Sequence, residues 1–164
     1  MNDLHRVSHS VSLATPVEAM WQSAVSLRGV NYELGPWLRM TTPQMLRGGS
    51  IEEVQPGVRI GRSWILLGGV IPIDFDDLGL AEIDPPHRFL ERSRMLSMSI
   101  WEHEREIGNN GTGSCVLTDR IGFRLRRPLA VIPGATALAA RVVALVFRHR
   151  HRRLADLYGT AKRR

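Results

Sequence analysis

The sequence predicts an α+β domain in which a curved antiparallel sheet closes over one long C-terminal helix. Three observations carry this expectation: an alternating segment near the N-terminus, a run of turn-separated segments over residues 50–125, and an unbroken helical pattern after Pro133-Gly134.

LHRVSHSVSL places Val7, Val11 and Leu13 on one side of an extended chain, which makes it the first strand. TPVE then reads as a helix start, with Thr15 as cap, Pro16 in the first turn and Glu18 as the returning acid, and the helix runs to about Leu27. Gly29, Gly35 and Pro36 break the following NYELGPWLRM into a turn-rich piece with one helical turn. Between residues 50 and 125, Pro56-Gly57, Gly68-Gly69, Pro85-Pro86 and the GNNG at 108–111 punctuate a meander of about six strands. IDFDDLGL shifts its apolar residues from odd to even positions, so a bulge is expected near Asp76-Asp77. The last element is one helix to about Tyr158 carrying Leu138, Val142, Val143, Leu145, Val146, Phe147, Leu154 and Leu157. Its apolar face needs a cover, and the concave side of the sheet is the available one. A sheet bent around a helix leaves a hollow, because the two surfaces do not close tightly.

With 164 residues, 43% hydrophobic and 23% charged, the chain has the composition of one globular domain, taken as residues 1–164. Cys115 is the single cysteine and MNDLHRVSHS has no apolar run, so a reducing, cytoplasmic setting is expected. The apolar run at 135–147 is shorter than the roughly 20 residues of a spanning helix and contains Arg141. Residues 141–164 hold eight of the 22 Lys and Arg but one of the 16 Asp and Glu, so the net charge of +6 belongs to the C-terminal segment. No specific nucleic-acid partner follows from it. The basic tail at 148–164 is read as the solvated end of the helix, with loose attachment to anionic lipid or RNA as the alternative.

The stretch SIWEHEREIG at 99–108 carries the most chemical information. In a strand Glu102, Glu104 and Glu106 share one face, while Trp101, His103, Arg105 and Ile107 share the other. Three like charges are costly to bury, so the glutamates face water and the other set faces the hollow. In the next strand, CVLTDRIGFRL, the apolar face formed by Leu117, Ile121, Phe123 and Leu125 carries Asp119 inward with it. Pairing across the GNNGTG turn puts Asp119 opposite or diagonal to His103 or Arg105. This is either a satisfied buried ion pair or a polar cluster that orients one end of a ligand.

TPVEAMWQSAV, IGRSWILLGGVIPIDF, the W-x-H-x-R strand, T-D-R-I-x-F and VFRHRHRRL, in this order, resemble the SRPBCC superfamily. That group includes START domains, polyketide cyclases and dehydratases, and allergen-type ligand carriers. The resemblance spans nearly the whole chain. It implies a helix-grip fold: a seven-stranded antiparallel sheet gripping the C-terminal helix, with two short helices between strands 1 and 2 and an internal cavity for hydrophobic small molecules. It implies Trp101, His103, Arg105 and Asp119 as cavity positions, but no shared catalytic set.

The expected activity is therefore binding of a lipid, polyketide or similar molecule. Trp64 and Trp101 would meet its apolar body, Trp37 and Met40 would stand near the mouth, and His103, Arg105 and Asp119 would meet its polar end. The alternative is a cyclase- or dehydratase-like enzyme with His103 as acid or base, its tautomer fixed by Asp119. No cofactor is expected. No metal is expected either: HExxH and CxxC are absent, and His149 and His151 lie about 200° apart on a helix. GxSxG and a nucleotide-binding glycine loop are also absent.

Overall fold

The computed structural model describes residues 4–46 and 50–162. In chain order the elements are β1 (His5–Leu13), α1 (Val17–Ala24), α2 (Leu27–Leu34), β2 (Leu38–Met40), β3 (Arg59–Leu67), β4 (Ile71–Asp84), β5 (Arg88–Met95), β6 (Met98–Asn109), β7 (Cys115–Leu125), α3 (Arg127–Ala130) and α4 (Ala135–Tyr158). Two 3-10 turns, Gln44–Leu46 and Ile51–Glu53, connect β2 to β3. The seven strands form one antiparallel sheet in the order β1-β7-β6-β5-β4-β3-β2. This is the helix-grip α+β architecture, with α4 lying on the sheet and α1 and α2 between the first two strands.

The helical segment after β1 divides where Ser26 accepts a hydrogen bond from Gly29 N and starts a second helix. Gly29 permits the tight corner, since a Cβ there would lie 2.0 Å from the Ser23 carbonyl oxygen. Thr15 does not cap α1: Pro16 occupies the cap position and no side chain bonds the first turn. The β6–β7 turn uses Gly111 and Gly113 at positive φ, and Asn109 Oδ1 accepts from Gly111 N.

The β4 bulge lies away from the expected place. Asp76 and Asp77 pair in sequence with Ser63 and Arg62, whereas Ile65 and Leu66 pair with Asp74 and Pro72, leaving Ile73 as the extra residue. Asp76 is thereby in phase with Leu78 and Leu80 and points inward; all three are buried. A second irregularity at Ala81 resets the phase again, so that Ile83 packs on the core.

The interior holds two apolar clusters. One gathers Leu13, Met20, Trp21, Phe89, Leu117 and Leu154, and the other gathers Met95, Met98, Phe123, Val143 and Phe147. No helix among the described residues is long and apolar enough to cross a membrane.

Candidate functional site

A cavity of about 270 Å³ lies between the two clusters and is lined by members of both: Leu78 and Phe89 from one, Met95, Met98, Val143 and Phe147 from the other. α2 closes it with Leu27, Val30 and Leu34. Val142 on α4 and Ile73 on β4 line it while being 51% and 48% exposed, which places its mouth between these two elements. Its polar lining includes Asp76, Glu91, His103 and Arg150.

The alternation of β6 delivers Trp101 and His103 to the cavity wall. Trp101 lies against Phe147 with ring centroids 6.3 Å apart, and His103 meets the same ring edge-on at 5.0 Å. On the opposite face of the strand Glu102 pairs with Arg92, Glu104 with Arg88 and Arg120, and Glu106 with Arg120. The three glutamates thus lie on the outer face.

Behind the cavity wall is a buried ionic network. Arg105 pairs in register with Asp119, giving Nε–Oδ1 at 2.8 Å and Nη2–Oδ2 at 2.9 Å. Its other edge grips Glu33 of α2 at 2.7 and 2.9 Å. Arg105, Asp119 and Glu33 have no exposed surface. His103 Nε2 and His151 Nε2 each sit 2.7 Å from an Asp119 oxygen, and Arg150 Nε donates to Glu33 at 2.8 Å. The network therefore ties α2, β6, β7 and α4 together. Burial would raise the Asp119 and Glu33 carboxyls, but Arg105, with His103 on Asp119 and Arg150 on Glu33, holds both below the ordinary carboxylate range, Asp119 well below. Burial would lower His103; its hydrogen bond to Asp119 and the charge there raise it instead.

Several expected positions are corrected by this geometry. Arg105 and Asp119 face inward but stand behind the cavity wall rather than on it. Trp64 is 43% exposed on the outer face against Phe75, which also stacks beneath Arg62, and Trp37 is 65% exposed; neither lines the cavity. Met40 does line it. The basic tail is not a uniformly solvated helix end, because Arg150 and His151 are buried in the network and His149 Nε2 contacts the Gly35 carbonyl at 2.8 Å. Arg163 and Arg164 lie outside the described residues. Glu33, Asp76, Glu91, Arg150 and His151 are site residues that the sequence reading did not select.

The family described as "Domain of unknown function (DUF8410)" matches residues 11–158. The chain belongs to the DUF8410 family. Solved structures similar to this DUF8410 chain include a START superfamily protein from Mycobacterium smegmatis, at 11% identity, covering 94% of this chain and 97% of that one, with a TM-score of 0.67. The Zhui aromatase/cyclase from Streptomyces sp. R1128 is similar at 13% identity, with coverages of 94% and 93% and a TM-score of 0.68. A protein from Chromobacterium violaceum is similar at 12% identity, with coverages of 96% and 99% and a TM-score of 0.69. At these identities the likeness establishes the START-like, SRPBCC fold of the DUF8410 chain. No curated protein sequence matches it significantly.

Proposed function

We propose that this DUF8410 protein binds a hydrophobic small molecule in the cavity between its sheet and α4. The observation that carries the reading is the cavity itself: about 270 Å³ of space, walled mostly by aliphatic and aromatic side chains, with five ionisable groups, Asp74, Asp76, Glu91, His103 and Arg150, on it. A dry apolar cavity of about 150 Å³ admits benzene, so this one suits roughly a bicyclic ring system. Trp101 and Phe147 supply flat contact for the body, and the Arg105–Asp119–Glu33 network holds the wall rigid behind His103.

The seat of His103 on that wall favours, as a second reading, a cyclase- or dehydratase-like proton transfer. Its Nε2 is taken by Asp119 and its Nδ1 faces Glu91 Oε2 at 3.8 Å, so the ring lies between two carboxylates that favour its protonated form. That arrangement suits anchoring better than proton abstraction, which makes binding the conclusion. The experiment is native mass spectrometry of the protein purified from its own host. The reading expects an additional small-molecule mass that organic extraction removes. Bare polypeptide, combined with no uptake of any naphthalene-sized probe, contradicts it.

A further inference from the structure

Asp76 is not part of the network that fixes Arg105, and it lies on the cavity wall. The residue is 4% exposed, lines the cavity, and its Oδ1 is buried without a hydrogen-bond partner. The carboxyl has Glu91 and Ser93 as polar neighbours on the sheet. Glu91 is committed elsewhere, since Oε1 accepts from Ser93 Oγ at 2.8 Å and Oε2 faces His103.

Two carboxyl groups hydrogen-bond to one another only through a shared proton. Burial, and then the negative charge of Glu91, raise Asp76 well above its ordinary value; burial would raise Glu91 too, but His103 holds it below its ordinary value. These directions favour the proton on Asp76, on the oxygen beside Glu91, the other oxygen being the unpartnered Oδ1. That leaves Oδ1 as a carbonyl-type acceptor, and if the proton is lost Oδ1 is an acceptor still. A buried acceptor on an apolar wall is unfavourable until a donor reaches it.

We propose that Asp76 Oδ1 receives the hydroxyl group of the bound molecule, so that the ligand class is an apolar alcohol or phenol. This rests on the cavity-binding reading and adds a polarity requirement to it. A ligand carrying only ether or ketone oxygens brings a second acceptor to an acceptor and is disfavoured; a hydroxyl satisfies both partners.

The test is calorimetric titration of the protein with 2-naphthol, 2-methoxynaphthalene and 2-methylnaphthalene, which share a ring body and differ in donor capacity. The expected result is binding of 2-naphthol about tenfold tighter than of the other two. Asp76→Leu removes the acceptor together with an unsatisfied buried oxygen, and is expected to abolish that preference while retaining 2-methylnaphthalene. Asp76→Asn keeps it, because the amide donates to Glu91 in place of the acid proton and leaves Oδ1 accepting. Equal or tighter binding of the methyl or methoxy compound by the unmodified protein overturns the proposal and leaves cavity binding standing, as does an unchanged preference in Asp76→Leu. Failure of all three compounds to bind overturns both.

Discussion

Arg105 on β6 and Asp119 on β7 face each other in register and close a two-pronged ion pair, 2.8 and 2.9 Å long, with no exposed surface on either residue. A pair of this kind adds little net stability compared with apolar residues of equal volume, but losing one partner strands a charge in the interior. Arg105→Met leaves Asp119 with only the histidines and Glu33 with only Arg150. Denaturant unfolding is expected to show a loss of about 3–5 kcal/mol. Glu106→Gln, on the exposed face of the same strand, should cost no more than about 1 kcal/mol.

The acid and alkaline limbs of stability come from different groups. Asp119 and Glu33 titrate lower in the folded protein than their ordinary values of 3.8 and 4.5, so as pH falls the unfolded chain takes up protons first. Their contribution is intact above about 4.5 and is lost as pH drops toward the folded values. His103 runs the other way: its folded value is raised, so its contribution is full below 6.5 and lost as pH rises through the raised value. Asp76, raised by burial and then by Glu91, adds a fall in stability with rising pH that starts near 3.8. Urea midpoints measured across pH should peak on the mildly acidic side, and Asp76→Asn should flatten the fall beyond the peak.

The basic segment divides into buried and exposed arginines. Arg150 side-chain atoms are 9% exposed and reach Glu33 at 2.8 Å, whereas Arg152, two residues on and on the opposite side of α4, faces water. Arg150→Ala is expected to lower the thermal midpoint by roughly 5–10 °C through the buried Glu33 it abandons. Arg152→Ala should stay within about 0.5 kcal/mol of the unmodified protein.

The strand alternation that predicts the sheet also predicts the network's sheet half, because His103, Arg105 and Asp119 share their faces of β6 and β7 with Ile107, Leu117, Ile121 and Phe123, and a one-residue error would bury three glutamates. The helical half was legible only in part. Val143, Phe147, Arg150, His151 and Leu154 follow one three- and four-residue stripe, which could have assigned Arg150 and His151 inward had the charge density of RHRHRR not argued for solvent. Glu33 gave no such sign: it stands in a turn-rich segment whose helical phase depends on the Gly29 corner. Trp64 was misplaced because SWILL is apolar on both faces and alternation assigns neither. The inward turn of Asp76 depends on a bulge at Ile73, and side-chain phase alone could not locate it.

If the cavity is a binding site, filling it should remove binding without removing the fold. Val143 on α4 is 6% exposed and lines the cavity. Val143→Phe places a ring into space that is already open, so its expected stability cost is under about 1.5 kcal/mol, less than insertion into a closed core. Tryptophan fluorescence titrated with 2-naphthol should show affinity weakened at least about tenfold, a loss of roughly 1.4 kcal/mol. Retained affinity would place the probe elsewhere on the protein.

The most direct measurement is a crystal structure of the protein soaked with 2-naphthol. The account predicts density for the ring system between the sheet and α4, against Trp101 and Phe147, with its hydroxyl oxygen within hydrogen-bond distance of Asp76 Oδ1. An interior closed by repacked Met95 and Phe147 side chains, with the probe absent or seated only on the outer surface, would contradict it.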